Sequence, residues 1–103
     1  MNEAKIYKAL GDPIRLKMVK RLANGSPTTI GDLSKNLGLT RQGARKQLQV
    51  LVSAKVVYLV QNGRETQVSL DKASLLKAKE FINKIEQQWD QRLEALKAFV
   101  EDN

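Results

Sequence analysis

Apolar side chains along the first half of the chain recur every three to four positions, which places them on one face of an α-helix. The recurrence predicts four helices, over residues 3–10, 13–25, 29–38 and 40–53. Asp12, Thr29 and Thr40 stand at the starts of the last three, where a side-chain oxygen accepts from otherwise unpaired backbone amides. Asp32 follows Thr29 at the spacing of a carboxylate that reaches back to the cap. We expect Ser26 and Pro27 to form a loop.

The third and fourth helices are separated only by Gly38 and two further residues, a spacing typical of a helix-turn-helix. Gly38 occupies the position where a left-handed residue commonly ends a helix. The fourth helix has one apolar face and an opposite face of amides and cations without an acid. Arg and Gln make paired hydrogen bonds to guanine and adenine, and Lys meets phosphates, so we expect this helix to read the major groove. The expected DNA-binding residues are Thr40, Arg41, Gln42, Arg45, Lys46, Gln49 and, from the segment that follows, Arg64.

After Lys55 the apolar period changes from 3.6 to 2, which indicates β-strands. Residues 56–61 are mostly β-branched or aromatic, and Asn62 and Gly63 form the strongest two-residue hairpin signal. Residues 64–70 then return as a second strand with Arg64 near the tip. A hairpin in this place is expected to be a wing over about residues 56–70, with Arg64 on a phosphate backbone or in the minor groove.

Asp71 precedes a last amphipathic helix, expected over residues 72–101 and about 45 Å long. Leu75, Ile82, Trp89 and Leu96 recur every seven residues, as in the seam of a coiled coil. The seam is too long for the rest of a small domain to cover, so we expect its distal half to pack on a second copy. The competing interpretation is a helix folded back on its own core.

Length and composition favour one soluble domain over residues 1–103, because the chain has 103 residues of which 42% are hydrophobic. No segment has the length and apolarity of a membrane span or the pattern of a signal peptide, so a cytoplasmic protein without membrane contact is expected. The chain has no Cys and no His, which excludes thiol and imidazole chemistry. We therefore expect no enzyme activity, no metal site and no cofactor.

The net charge of +7 lies in the first two thirds of the chain. Residues 1–71 hold twelve Lys and Arg against five acids, whereas residues 72–103 hold six of each. Residues 33–64 contain no acid at all. A run of this kind is often only a solvated face, but here it contains the expected reading helix and wing, which favours double-stranded DNA as the partner.

The predicted fold class is mainly α with a small β-hairpin: a winged helix-turn-helix of three core helices and a wing, flanked by an N-terminal helix and a long C-terminal dimerisation helix.

Residues 9–16, ALGDPIRL, resemble the opening ALGDPTRL signature of the ArsR family of transcriptional repressors. Residues 47–51, QLQVL, resemble the HLxVL that ends the family's recognition helix, and the likeness spans about residues 4–70.

The resemblance implies a homodimer, paired through its first and last helices, that lies across a palindromic operator and represses transcription until a signal releases it. The residues expected at the dimer interface are Ile6, Tyr7, Ile82, Ile85, Trp89, Leu93, Leu96 and Phe99.

The chain departs from the family in several places. Thr29 and Gly31 stand where metal-sensing members carry a Cys-x-Cys pair, and this agrees with a branch of the family without metal sites. Arg45 replaces a common Ser on the reading face. Lys55 replaces a Gly after the reading helix, where a left-handed residue other than Gly costs about 1 kcal/mol.

Two other classes of function stay open on the residues alone. One is an interaction or antitoxin-like protein whose basic face binds an acidic partner protein. The other is an enzyme that holds a hard cation between Glu86, Asp90 and Glu94, which are spaced along one helix face. Such a row of carboxylates is more often a solvated stripe.

Overall fold

The computed structural model of the chain describes residues 3–25 and 28–102. It confirms the predicted fold class, with five helices and a small antiparallel sheet. In chain order the elements are α1 (Glu3–Leu10), α2 (Pro13–Asn24), β1 (Thr28–Thr29), α3 (Ile30–Leu33), α4 (Arg41–Ser53), β2 (Val57–Asn62), β3 (Glu65–Leu70) and α5 (Lys72–Glu101). The loop predicted at Ser26 and Pro27 lies outside the described residues.

The four predicted N-caps are all formed, which explains why the sequence located the helix starts correctly. Asp12 accepts from the backbone amide of Ile14 at 3.0 Å, and Asp71 accepts from that of Ala73 at 3.0 Å. Thr40 accepts from the amide of Gly43 at 2.9 Å. Thr29 accepts from the amide of Asp32 at 3.2 Å, although the Asp32 carboxylate itself pairs with Lys35 at 3.7 Å.

The third helix is shorter than predicted. It ends at Leu33 after a single turn, because Ser34 bonds back to the carbonyl of Ile30 at 2.7 Å and Asn36 then takes a left-handed conformation with φ 60°. Gly38 is also left-handed, at φ 71°, but it lies in the connection to α4 rather than at the end of the helix. The helix-turn-helix is therefore a one-turn helix joined to α4 by a longer connection.

The sheet has the strand order β1-β3-β2. The sequence predicted only the hairpin and missed β1, in which Thr28 pairs with Val68. The predicted turn is wrong by one residue: Asn62 pairs with Glu65, so Gly63 and Arg64 form the two-residue turn. Gly63 has φ 64° at the first turn position, where a type II′ hairpin turn requires a positive φ.

The core lies between α1, α2, α4 and the sheet. Its largest fully buried side chains are Ile6, Met18, Leu33, Leu51, Val56, Val57 and Val68. Tyr7 fastens α5 to this core, because its hydroxyl donates to the carbonyl of Ala78 at 2.5 Å and its ring lies 5.9 Å from that of Phe81.

The side chain of Arg15 on α2 is half-buried, although a charged residue of an amphipathic helix is expected outside. Its guanidinium donates through Nε to the carbonyl of Ala9 at 2.7 Å and through Nη2 to that of Lys8 at 3.2 Å. It also donates through Nη1 to Oε1 of Gln47 at 2.7 Å. The side chain thus satisfies carbonyls at the end of α1 that have no partner within that helix, and it joins α1 and α2 to α4.

Helix α5 has the predicted length, 30 residues, but only its first part joins the core. Ser74 and Ala78 are buried, whereas every described residue from Phe81 onward is exposed. The protomer is correspondingly elongated, with principal extents of 69 × 26 × 23 Å. The helix does not fold back on its own core. Across the described ranges, no helix combines the length and apolarity that a membrane crossing requires.

Candidate nucleic-acid interface

Helix α4 is held with one face in the core and the opposite face outward. Ala44, Leu48 and Leu51 are no more than 4% exposed. The side chains predicted to read DNA are on the outward face: Arg41, Gln42, Arg45, Lys46 and Gln49 are all exposed. The core contacts of α4 thus fix which side of the helix presents these amides and cations.

Most of these polar groups are not used within the protomer. Within residues 3–25 and 28–102, the side chains of Arg41, Gln42, Arg45 and Lys46 make no hydrogen bond or ion pair. Gln49 donates to the hydroxyl of Ser53 at 3.3 Å, in an exposed contact that water competes for. A face of unpaired donors suits a ligand that offers many acceptors.

Thr40 serves first as the cap of α4. Its hydroxyl oxygen accepts from Gly43, and its hydroxyl proton is left to donate to an outside acceptor such as a phosphate. A Cβ on Gly43 would lie 3.1 Å from this oxygen. The absence of a side chain there keeps the cap unobstructed and leaves the backbone at the start of α4 approachable.

The groove between α3 and α4 adds two residues that were not predicted to contact DNA. Ser34 and Lys35 line it together with Thr40, Arg41 and Arg45. Lys35 is part of the acid-free run, and that is the signal by which it could have been selected. It is partly neutralised by Asp32, with 3.7 Å between Nζ and the carboxylate, so we rank it below the cations of α4.

The hairpin places Arg64 at its tip, exposed and remote from the core. Two contacts brace this tip: Gln61 donates to the carbonyl of Gly63 at 3.0 Å, and Thr66 donates to Oε1 of Gln61 at 3.0 Å. The tip is thus held by hydrogen bonds across the two strands. A cation on a braced hairpin beside an exposed helix is the arrangement of a wing.

The residues predicted at the dimer interface divide into two groups. Those on α5 form an exposed apolar stripe: Ile82, Ile85, Trp89, Leu93, Leu96 and Phe99 are 46 to 68% exposed. Ile6, in contrast, is only 2% exposed. The prediction that it lies at the dimer interface is therefore wrong. Its side chain is used by the core. Tyr7 is half-buried on α1, and its hydroxyl donates to the carbonyl of Ala78 on α5.

The carboxylates considered for a cation do not form a site within one protomer. Among the described residues, no group of three His, Cys, Asp or Glu side chains is close enough to hold a metal ion. Glu86, Asp90 and Glu94 are exposed along α5. They form a charged stripe beside the apolar one.

Comparison with known proteins agrees with this geometry. A family model for a helix-turn-helix domain matches residues 10–60. An ArsR-like transcriptional regulator from Rhodococcus sp. RHA1 is 29% identical, with a TM-score of 0.82 over 94% of this chain and 91% of that one. The transcriptional repressor BigR from Xylella fastidiosa is 27% identical, with a TM-score of 0.61 over 82% of each chain.

A homodimeric winged helix-turn-helix DNA-binding domain from Mycobacterium bovis, solved by NMR, is 22% identical. It aligns with a TM-score of 0.62 over 88% of this chain and 81% of that one, a likeness of fold alone. No curated protein sequence is significantly similar. The shared fold thus extends beyond the helix-turn-helix, to α1, the hairpin and the long last helix.

Proposed function

We propose that this DNA-binding winged helix-turn-helix protein, which is similar to ArsR-family transcriptional regulators, acts as a homodimeric repressor on a palindromic operator. In this role α4 lies in the major groove and the wing tip lies along the adjacent backbone. Because a regulator of this kind must reach the DNA, the proposed location of the protein is the cytoplasm.

The observation that carries the proposal is the exposed face of α4. It presents two arginines, a lysine and two glutamines with no acid among them, on a helix whose other face is fixed in the core. Arg45 and Gln49 lie one turn apart, so both side chains project from the same part of the helix. We assign base reading to Arg45, Gln42 and Gln49, and phosphate contacts to Lys46, Arg41, Thr40 and Arg64.

The homodimer follows from the distal part of α5. Its apolar stripe is uncovered in the protomer, and stripes of this kind mark interaction surfaces. Six cations and six acids balance in residues 72–103, so two copies meet there without net repulsion. The homodimeric relative from Mycobacterium bovis supports the same assignment.

A dimer of this kind predicts the form of its DNA site. Two reading helices related by twofold symmetry enter successive major grooves about 34 Å apart, so the half-sites are about ten base pairs apart and inverted. Occupation of such a site near a promoter would exclude the polymerase, and this is the basis of the proposed repression.

Selection of genomic fragments tests the proposal. Fragments retained by the purified protein at about 150 mM salt are sequenced, and their affinity is compared with that of random DNA of equal length. We expect an inverted repeat and a preference of at least about a thousandfold over random DNA. Retention of all fragments alike, or of none, would overturn sequence-specific binding. Increased transcription of a reporter on adding the protein would overturn repression.

A further inference from the structure

An open cleft of about 650 Å³ lies between α1, the start of α2 and the C-terminal half of α4. Within the described part of the chain, α5 contributes nothing to its wall. The cleft is therefore separate from the distal apolar stripe of α5. Its volume is in the range of sites for small organic ligands.

All of the ionisable groups in this wall are basic. Lys5 and Lys8 come from α1, Arg15 from α2 and Lys46 from α4. Four cations from three elements create a positive potential inside a concave surface, where it is less screened than on a flat one. The cleft is therefore suited to an anion.

Between the cations the wall is apolar. Ala9 and Ala54 contribute small side chains, and Val50 is 40% exposed at the opening. A valine left half-exposed beside lysines offers a contact for a hydrocarbon group. The wall thus combines anion recognition with a surface for an apolar body, which distinguishes it from a simple phosphate contact.

Of the four cations in the cleft wall, Arg15 is the one held by several hydrogen bonds within the protein. Its three hydrogen bonds, to two carbonyls of α1 and to Gln47 of α4, fix the guanidinium at the wall. An anion that draws Arg15 toward itself therefore pulls on the contact that holds α4. Lys46 and Gln49 belong both to this cleft and to the face of α4 assigned to DNA.

We propose that the cleft binds a small organic acid, a carboxylate with an apolar body, and that its binding weakens the hold on DNA. The binding of the acid depends only on the cleft, whereas its effect on DNA affinity rests on the proposed function. The carboxylate pairs with Lys8 and its basic neighbours, and the apolar body covers Val50 and the alanines. In the bound state Lys46 is partly neutralised, so the attraction of α4 for phosphates falls.

Binding is tested first on the free protein, with octanoate as the probe. Backbone amide NMR shifts are followed during titration. The matched controls are 1-octanol, which lacks the carboxylate, and inorganic phosphate, which lacks the apolar body. We expect octanoate to shift amides of α1 and the C-terminal half of α4, and to bind about tenfold more tightly than either control. Equal binding of 1-octanol, equal binding of phosphate, or shifts confined to α5 would each overturn the site.

Variants locate the two halves of the site. Lys8→Gln removes a cleft cation and Lys17→Gln an exposed cation of α2 outside the cleft. Val50→Ser removes the apolar contact, and Leu16→Ser changes a residue of nearly equal exposure, 39% against 40%, on α2. We expect about tenfold weaker octanoate binding for the two cleft variants and unchanged binding for the two controls. Unchanged binding by both Lys8→Gln and Val50→Ser would refute the assignment.

The effect on DNA is measured separately, by fluorescence anisotropy with a selected fragment. Octanoate should lower the affinity of the wild type for this fragment, and Lys8→Gln should need about tenfold more octanoate for the same loss. Octanoate that binds the cleft without changing DNA affinity would overturn the regulatory part. Because the NMR titration contains no DNA, failure of the proposed DNA binding would leave the octanoate result intact, and the two failures are distinguishable.

Discussion

The guanidinium of Arg15 lies 2.7 Å from Oε1 of Gln47, through Nη1, and so connects the start of α2 to the middle of α4. The same side chain bonds the last carbonyls of α1. Three helices that are separate in sequence therefore share one polar contact. Since α4 carries the proposed reading face, the orientation of that face depends in part on a residue far from it in the chain.

Removal of Arg15 should cost more stability than removal of Gln47. Arg15→Ala breaks three hydrogen bonds of a charged donor, and we expect the free energy of unfolding to fall by about 2 kcal/mol; Gln47→Ala breaks one and should cost about 1 kcal/mol. Urea unfolding of both single variants and the double variant measures the coupling between them, which should reach about 1 kcal/mol. Strictly additive losses would mean that the Arg15 to Gln47 contact contributes nothing.

Helix α4 ends with an unusual residue. Lys55 has φ 62°, and its amide bonds the carbonyl of Val52 at 3.0 Å while that of Val56 bonds the carbonyl of Leu51 at 3.0 Å. This is a Schellman motif in which Lys stands where Gly is preferred. Lys55 therefore takes the left-handed conformation that the Gly at this position of the family allows, despite its Cβ.

Replacement of this lysine by glycine should stabilise the protein. Lys55→Gly relieves the steric cost of a Cβ at positive φ, and we expect the free energy of unfolding to rise by about 1 kcal/mol. Lys55→Ala removes the long side chain but keeps the Cβ, so it serves as the control and should leave stability nearly unchanged. The two are compared by thermal and urea unfolding. A gain for Ala equal to that for Gly would trace the effect to the side chain rather than to the backbone.

The helices were predictable because capping residues and apolar spacing agree. Asp12, Thr40 and Asp71 each precede an amphipathic stretch, so local preference and burial select the same boundary. The features that the sequence missed depend on tertiary contacts. Strand β1 consists of Thr28 and Thr29 alone, which have no periodicity and become a strand only by pairing with β3.

The errors at the candidate sites have a similar origin. A charged residue on an amphipathic helix is expected outside, yet Arg15 is drawn inward by carbonyls of α1 that the linear pattern does not reveal. Ile6 was selected for the dimer because the resemblance pairs first helices, but its burial depends on which face of α1 meets the core. The turn was misplaced because Asn62-Gly63 and Gly63-Arg64 both contain acceptable turn residues, and strand register decides between them.

Two neighbouring cations on α4 should affect DNA binding in different ways. Arg45→Ala removes a base contact, and we expect operator binding to weaken by about 1–3 kcal/mol with relaxed preference at one base pair. Lys46→Ala removes a phosphate contact, so it should weaken operator and random DNA alike and reduce the salt slope by about one. Fluorescence anisotropy at several salt concentrations measures both effects.

The control for this pair is Lys84→Ala, which removes an exposed cation from α5 beyond the core contacts. It should bind DNA like the wild type, because a distant charge acts only weakly at physiological salt. An equal loss on operator and random DNA for Arg45→Ala would remove this residue from base reading. An equal loss for Lys84→Ala would mean that net charge alone governs affinity.

The apolar stripe of α5 gives a prediction for assembly. Leu96 is 59% exposed and Trp89 is 58% exposed in the single chain, and the proposed dimer would cover both. Leu96→Glu places a charge in that contact, and in a symmetric dimer both copies would bury such a charge against apolar side chains. We expect the wild type to sediment as a dimer and Leu96→Glu as a monomer with much weaker operator binding.

The fluorescence of the single tryptophan of the chain reports dimerisation through α5. Trp89 should emit at shorter wavelength in the concentrated wild type and shift to longer wavelength on dilution, whereas Leu96→Glu should show the long-wavelength emission throughout. Leu16→Glu is the matched control, since it charges an exposed leucine of α2 outside the stripe and should leave the dimer intact. A wild type that stays monomeric at every concentration, with constant Trp89 emission, would contradict pairing through α5 and with it the inverted-repeat operator.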